Sequence, residues 1–542
     1  VTTPPPTARG ALLDALALSL TTLVVDVGTL SSRYTYDGIL FSFQLENARA
    51  TGRVGQGWHP HHLLFEAMAL WFTRALELVG LAWTALFTLQ LFCTLWGAIT
   101  VFCFALVCRR LTQDRALTVL CSTALMVSYG FWFFSVDPEV YVPEMAAVVI
   151  TLLVLVHRME RGPSTRWPLH AVFYGVLGAF LMSNHLSAGA LLLPLCTVAA
   201  WFLRDGDGIN VRTRLLRGLL PGAITAVVAL GLMAAFYVYA YSEVTNAHDV
   251  TLTRWVFNTA AVGAGQRDSF WNFSPAQMLA AAQGYAGTLA ASGAQQMEGG
   301  LLLETLRVAA LLGVTACVLV YFIFLRTLWR KDARWPALLL MSYLPLLLFN
   351  VVWDSPNFEA KVVLLAPLWV MVACGLRALK TGLQRPWLVD GAAALLVLLL
   401  GSYNLLAGLL PGSQPERNAD LQRAHFVRDN TEENAVIYIG ATPSGFNNGK
   451  IYLLYFASRQ PWAADLLLGR GMFPLPFNAA REKDGARPRY VLSEVVEPGT
   501  PLRELATRHQ VGEQQLVGWF ADQEPRLVAR MPDGFGLYRL TR

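Results

Sequence analysis

The chain has 542 residues, of which 55% are hydrophobic and only 15% charged, with a mean hydropathy of +0.43. A pair of soluble domains of this size needs more charge to cover its surface, so that architecture is excluded and the apolar material must meet lipid. The net charge of +5 traces to short basic loops and calls for no nucleic acid.

Apolar stretches long enough to cross a hydrocarbon core of roughly 30 Å as helices recur up to residue 410 and then stop. The expected spans, about eleven, are 11–30, 81–107, 116–134, 140–156, 169–181, 186–203, 219–241, 301–325, 336–352, 362–376 and 387–409. The first carries Asp14 and Asp26 and lacks a small-residue cleavage site, so it reads as a retained helix. Residues 59–78 read as a helix lying on the outer surface. The expected class is a polytopic α-helical membrane protein, with a transmembrane domain over 1–410 and a soluble α/β domain over 411–542. The seven cysteines, Cys93, Cys103, Cys108, Cys121, Cys196, Cys317 and Cys374, all fall in apolar helices, which implies neither a disulfide framework nor a zinc site.

Alternate connections are basic: Arg109, Arg110 and Arg115; Arg158, Arg161 and Arg166; Arg204, Arg212, Arg214 and Arg217; Arg326, Arg330, Lys331 and Arg334; Arg377, Lys380 and Arg385. The positive-inside rule assigns these to the cytoplasm of a bacterial-type inner membrane. The N-terminus is then cytoplasmic and the C-terminal domain extracytoplasmic.

Polar residues are costly at membrane depth, so the places where they gather are informative. Here they gather at the outer helix ends. The first outer loop, Ser31-Ser-Arg-Tyr-Thr-Tyr-Asp-Gly38, supplies Arg33 and Asp37, followed by Glu46 and by Trp58-His59-Pro60-His61-His62. The second supplies Asp137, Glu139 and Tyr141, the third Asn184 and His185, and the fifth Asp354, Glu359 and Lys361. Each piece has a plainer explanation. Asp37-Gly38 suits a turn, Asp137-Pro138-Glu139 suits a helix start, and Glu359 and Lys361 suit snorkelling at a helix mouth. His59, His61 and His62 lack the i, i+4 spacing of a helical metal pair. The functional reading rests on the coincidence of all of them on one face.

An acid soon after the first span, a surface helix begun by His59-Pro60, Glu139-Val-Tyr141 after the third span and Asn184-His185 near the fifth together resemble the bacterial relatives of TMEM-type protein O-mannosyltransferases, within the GT-C glycosyltransferase superfamily. The match covers roughly the first 200 residues. Family loops read more like Gly-Asp-Ser-Gly-Glu and His-Pro-Pro-Gly-Tyr-Pro, against Tyr36-Asp37-Gly38-Ile-Leu and His59-Pro60-His61-His62-Leu63 here. The resemblance implies a GT-C-like helical bundle with outer surface helices, a polyprenyl-phosphate-sugar donor, and an outer active site using a first-loop acid, Asp37. It also implies a second acid from the next outer loop, Asp137 or Glu139.

A hydroxyl acceptor needs a base to take its proton, and Asp37 is placed for that role. The departing polyprenyl phosphate needs its charge neutralised more than it needs a proton, which nominates the outer cations Arg33, Arg254, Arg267 and Lys361. Direct displacement inverts the anomeric centre. His59, His61, His62, Tyr141, Asn184, His185, Asp354 and Glu359 complete the expected cleft, and a divalent cation on its carboxylates is left open. The acceptor is a protein, lipid or glycan. Two other readings are a flippase or transporter of lipid-linked glycan and a surface-glycan polymerase or ligase. A transporter predicts repeated halves and broken helices at the midplane, and no internal repeat is visible.

Residues 242–300 mix Trp255, Phe257, Phe270, Trp271 and Phe273 with polar residues and predict surface helices or a flap. In the tail, a helix is expected at 419–428 and strands at 435–439, 490–492 and 536–540. The loop Gly440-Ala-Thr-Pro-Ser-Gly445 resembles a phosphate loop but is followed by Phe446 and Asn447 where Lys and Ser or Thr are needed, so nucleotide binding is not assigned to it.

Overall fold

The computed structural model describes residues 8–162, 164–202, 211–244, 251–258, 274–292, 296–353, 357–442, 444–469 and 487–541. The chain divides into two compact units that are not collinear with the sequence. One runs to Ser31 and resumes over Gln44–Ser413, and the other joins Ser32–Phe43 to Gln414–Arg542.

The first unit is a helical bundle. Its helices are α1 (Ala8–Gly28), α3 (Leu63–Leu78), α4 (Ala85–Thr112), α5 (Arg115–Val127), α6 (Tyr129–Val136), α7 (Tyr141–Arg161), α8 (Trp167–Asn184), α9 (Leu192–Phe202), α10 (Val211–Glu243), α11 (Leu252–Asn258), α12 (Pro275–Leu289), α13 (Leu301–Asp332), α14 (Arg334–Trp353), α15 (Leu365–Gly382) and α16 (Trp387–Asn404). Helix α2 (Tyr36–Thr51) starts in the second unit and continues into the first.

Among the described residues, eight helices are long and apolar enough to cross a membrane, and nine if the bent pair α5–α6 is one span. Helix α8 and the shorter apolar helix Leu186–Trp201 stand at the remaining two expected positions. The chain is a multi-pass membrane protein.

The span expected at 116–134 is not a single helix: it bends by 62° at Ser128. A break in a buried helix frees backbone groups that lipid cannot satisfy. Here Asn404 supplies a partner, donating from Nδ2 to the Val127 carbonyl at 2.8 Å, and it ties the bend to the end of α12 by donating to the Leu289 carbonyl at 2.8 Å and accepting from the Ala291 N–H at 3.1 Å. Ser128 Oγ accepts from Trp369 Nε1 at 3.1 Å. Helices α13 and α15 approach at Gly375, where an added Cβ would stand 2.7 Å from the Tyr321 Cα. Small residues at such crossings are what lets backbones pack in lipid, where no hydrophobic force drives helices together.

Helix α3 is the surface helix expected at 59–78. Phe65, Ala69, Leu70 and Thr73 face inward while Trp71 is exposed, the two-faced pattern of a helix lying along an interface. Helices α11 and α12 fall inside the 242–300 stretch; Phe270, Trp271 and Phe273 lie outside the described residues.

The second unit has a five-stranded sheet, β1 (Val436–Ile439), β2 (Gln460–Ala463), β3 (Arg489–Leu492), β4 (Pro525–Arg530) and β5 (Gly536–Leu540), in the order β2-β1-β3-β5-β4. Strand β1 pairs in parallel with β2 and β3, and β5 is antiparallel to β3 and β4. Ile437 and Ile439 enter the core under α17 (Ala419–Asp429) and α18 (Gly449–Phe456). Val436 and Tyr438 face a second core, built with Leu502, Leu505, Leu516 and Phe520. A short strand covered on both faces reads as a continuous apolar run, as Val-Ile-Tyr-Ile does.

Candidate functional site

The residues nominated from the sequence divide between the two units. Asp37 and Arg33 belong to the second, and the rest that are described belong to the bundle.

In the second unit, the segment bearing Asp37 is stitched to the C-terminal domain. Asn418 Nδ2 donates to the Ser32 carbonyl at 2.5 Å, and the Tyr452 hydroxyl donates to the Tyr34 carbonyl at 2.9 Å. Tyr34 stacks on Phe456 with ring centroids 5.6 Å apart, and Ile39 is fully buried in the domain's core. Asp37 sits in the first turn of α2, whose start is fixed by the Gly38 N–H donating to Thr35 Oγ1 at 3.0 Å. Solvent reaches the Asp37 side chain, yet desolvation by the surrounding protein raises its carboxyl above the ordinary aspartate value. Arg33 is half-buried, and its charge acts on Asp420.

The loop Gly440–Gly445 is filled from within. Glu494 accepts the N–H groups of Gly440 at 2.5 Å and Phe446 at 2.6 Å, so a carboxylate of the chain itself takes the place where a phosphate would sit. Burial raises the Glu494 carboxyl, and the N–H groups of Phe446, Gly440 and Ala441 pull it the other way. A Cβ at Gly445 would collide with that carboxylate.

In the bundle, α6 ends at Asp137. Its last turn is tied to α1 and α4: the Ser31 N–H donates to the Val136 carbonyl at 3.2 Å, and Gln90 Nε2 donates to the carbonyls of Ser31 at 2.7 Å and Val136 at 3.0 Å. Cys93 Sγ lies 3.3 Å from the Glu139 carbonyl. Asp137 and Glu139 are both buried, held as a rigid corner between α6 and α7.

Four histidines from two distant stretches meet. His59 stacks on His62 at 4.2 Å between centroids, His61 lies edge-on to His59 at 5.0 Å, and His62 lies parallel to His185 at 6.5 Å. The Leu186 N–H donates to the His61 carbonyl at 2.8 Å, joining α8's end to the start of α3. Trp58 Nε1 donates to Glu243 at 2.8 Å and the Tyr237 hydroxyl to the Pro60 carbonyl at 2.7 Å, so α10 anchors the same segment. Burial and then mutual repulsion push His59 down to about 3, with His61 and His185 at about 4, so the rings are neutral at pH 7. Stacked rings do not converge on a point. Among the described residues no group of three or more His, Cys, Asp and Glu side chains is arranged to hold a metal ion.

From His185 a polar chain continues. Its ring lies 5.9 Å from that of Tyr141, whose hydroxyl donates to Glu359 at 3.2 Å. Asn357 Nδ2 also donates to Glu359, at 3.3 Å, and the Asn357 carbonyl accepts from Lys361 Nζ at 2.6 Å. Lys361 is only 2% exposed and lines a groove of about 600 Å³ between α12 and α14. Met278, Ala281, Leu344 and Leu348 form its apolar walls, Tyr285 and Asn350 line it as well, and Lys361 is the only cation among its described lining residues. An apolar trough with one cation suits a ligand that is mostly hydrocarbon and carries one anionic group.

Asn184 does not join this network: its Nδ2 donates to the Phe180 carbonyl of its own helix at 2.9 Å. Arg254 lies on α11 with its side chain outside the described residues, and Arg267 and Asp354 lie outside them altogether. Sequence reasoning passed over Glu144, Ser187 and Glu66. Ser187 bonds both His185, at 2.7 Å, and Glu144, which fixes that imidazole. Glu66 on α3 is 1% exposed with no hydrogen bond to either oxygen, and burial pushes its carboxyl well above the ordinary glutamate range. The signal for Glu66 was available: one acid on the apolar face of an amphipathic helix.

No family model and no curated protein matches the sequence. Solved structures do. ArnT from Cupriavidus metallidurans bound to undecaprenyl phosphate superposes with a TM-score of 0.56 at 13% identity, covering 98% of each chain. The chain has a GT-C fold. Apo ArnT from the same organism gives 0.52 at 12% identity, again over 98% of each chain. The Archaeoglobus fulgidus oligosaccharyltransferase solved with zinc and sulfate gives 0.48 at 12% identity, over 98% of this chain and 73% of that one. The GT-C fold expected from the first 200 residues therefore extends over the whole chain, while the likeness to mannosyltransferases in particular has no counterpart among these neighbours.

Proposed function

We propose that this chain is a glycosyltransferase that moves a hexosyl or pentosyl group from a polyprenyl-phosphate donor to a hydroxyl of a protein, lipid or glycan acceptor at the outer face of the membrane. The observation that carries the reading is the apolar groove with the Lys361 ammonium in its lining. A polyprenyl chain supplies the hydrocarbon and its phosphate the anion. The ArnT neighbour was solved with a ligand of this class, undecaprenyl phosphate.

In this reading Asp37 takes the acceptor proton as the acceptor oxygen bonds to the anomeric carbon. The bond from that carbon to the phosphate oxygen breaks on the opposite side, and the configuration inverts. Lys361, Arg33, Arg254 and Arg267 neutralise the phosphate that departs, so its low basicity needs no general acid. Asp137 or Glu139 supplies the second acid of the cleft.

The test is Asp37→Asn in purified, reconstituted protein, read as release of free polyprenyl phosphate from lipid-linked donors. Loss of a general base costs on the order of 10²- to 10⁴-fold. An unchanged rate overturns the base assignment. A parent protein that moves lipid-linked sugar across a bilayer without releasing polyprenyl phosphate is a flippase and overturns the transferase reading.

A further inference from the structure

Glu144 lies in the first turn of α7, His185 closes α8 and Ser187 stands in the short turn Leu186–Leu191 that follows. The three side chains touch in a line, and their heavy atoms settle where the hydrogens lie. His185 Nδ1 accepts from the Ser187 N–H at 3.3 Å, so that nitrogen carries a lone pair and the ring hydrogen sits on Nε2. The Ser187 hydroxyl lies 2.7 Å from the same Nδ1. Lone pairs repel at that distance, so the hydroxyl donates to Nδ1. Its one hydrogen is then committed, and its contact with Glu144 Oε1 needs a hydrogen from the acid. Glu144 is therefore a neutral carboxylic acid that reaches the ring through Ser187, its own Oε1 being 3.5 Å from Nδ1. Burial agrees: the side chain is 1% exposed and Oε2 has no hydrogen-bond partner, a setting that penalises a carboxylate far more than an acid.

The order on the Nδ1 side fixes what the ring offers on the other. Among the described residues no group bonds Nε2, and 16% of the His185 side chain is open. The ring stands 5.9 Å from that of Tyr141, whose hydroxyl donates to Glu359, and both of these residues are partly exposed. A fixed N–H, a phenol and a carboxylate thus share one open row. An anion offers only acceptors and meets repulsion from the Glu359 carboxylate. A sugar hydroxyl both accepts and donates, so it can take the His185 N–H and give its own hydrogen to a carboxylate.

We propose that His185, held as its Nε2–H tautomer by Ser187 and neutral Glu144, donates a hydrogen bond to an oxygen of the sugar on the lipid-linked donor. The contact is made to the sugar and not to the phosphate, and it rests on the reading of the chain as a protein that binds lipid-linked sugar.

The tautomer is read without turnover. Full-length protein in liposomes, carrying isotope-labelled histidine, is examined by solid-state NMR at pH 7, the His185 signals being those lost in His185→Gln. The parent should show a bare Nδ1 and a protonated Nε2, together with a carboxylic-acid C=O infrared band that Glu144→Gln removes. A parent with its hydrogen on Nδ1, or without that band, overturns the arrangement. Binding is then measured for undecaprenyl phosphate, bare or carrying glucose, mannose or arabinose. His185→Leu should weaken the sugar-bearing lipid that the parent holds best by about five- to tenfold, the size of one hydrogen bond, and leave the bare lipid unchanged. His185→Gln places an N–H where Nε2–H stood and should stay within about twofold of the parent. Equal weakening of bare and sugar-bearing lipid, or none, overturns the sugar contact, as does a parent that binds none of the sugar-bearing three. A parent that binds with the expected pattern yet releases no polyprenyl phosphate refutes the transferase reading and leaves the contact standing.

Discussion

Replacing Asn404 by leucine tests whether the junction between the α5–α6 bend and the end of α12 is held by hydrogen bonds or by packing. The substitution keeps the side chain's size and removes three bonds at once: those to the carbonyls of Val127 and Leu289 and that from the Ala291 N–H. Bonds between helices in membranes average about 0.6 kcal/mol and reach about 1.7, so three sum to roughly 2 to 5 kcal/mol. The extra buried hydrocarbon returns about 1 kcal/mol, leaving a net loss of about 1 to 4. Five of the seven cysteines are buried, so a thiol-reactive dye reports unfolding of detergent-solubilised protein on heating. Asn404→Leu should melt earlier than the parent by a margin of that size. Tyr403→Phe, which loses a single bond to the Ala291 carbonyl at 2.6 Å, should fall between them. A leucine variant that melts with the parent refutes the reasoning and leaves the bend to packing alone.

The histidine cluster makes the protein acid-sensitive. The rings of His59, His61 and His185 titrate at about 3 to 4 when folded against about 6.5 unfolded, so their contribution is complete above pH 6.5 and is lost as pH falls through that window. At pH 5 each ring withdraws at most about 2 kcal/mol, read as an earlier dye melt that His61→Gln should partly flatten. Because desolvation raises Asp37, the rate of sugar transfer should fall with decreasing pH through a midpoint above 3.8, and Asp37→Asn should abolish that limb. Gly375→Val forces a side chain onto the Tyr321 backbone and should cost more stability than Gly382→Val, where nothing lies within 4 Å. Glu494→Ala strips the acceptor from the Gly440 and Phe446 N–H groups and should destabilise the second unit by about 2 to 4 kcal/mol, seen as faster proteolysis within it.

Much of the bundle was legible because a membrane imposes a length and a polarity on every helix that crosses it. The elements at the expected positions are those whose apolar runs meet that requirement alone, such as α4 and α13. The break at Ser128 was not legible, since Met126-Val-Ser-Tyr-Gly130 is as apolar as its flanks and the residue that stabilises it lies 276 positions further on. In the tail, Val-Ile-Tyr-Ile announced β1, whereas β2, Gln-Pro-Trp-Ala, and the edge strand β4, Pro-Arg-Leu-Val-Ala-Arg, do not alternate and were passed over. The gathering of His59, His61, His62, His185, Tyr141, Glu359 and Lys361 was foreseen from topology, because loops on one side of a membrane share a surface. Asn184 donates to its own helix, because an amide at a helix end can satisfy its own backbone, and spacing does not reveal when it does. Nothing in residues 32–43 announced their attachment to the tail, because two of the bonds are made through the carbonyls of Ser32 and Tyr34, which every residue owns.

That attachment sets a clock on biosynthesis. Asp37 leaves the ribosome early, but the residues that fix its segment, Asn418, Tyr452 and Phe456, are some 380 to 420 positions further along. At about 5 to 20 residues per second, the segment waits roughly 20 to 80 s for its partners. A chain that stops just after Ser413 carries every helix of the bundle and a first loop still without its partners.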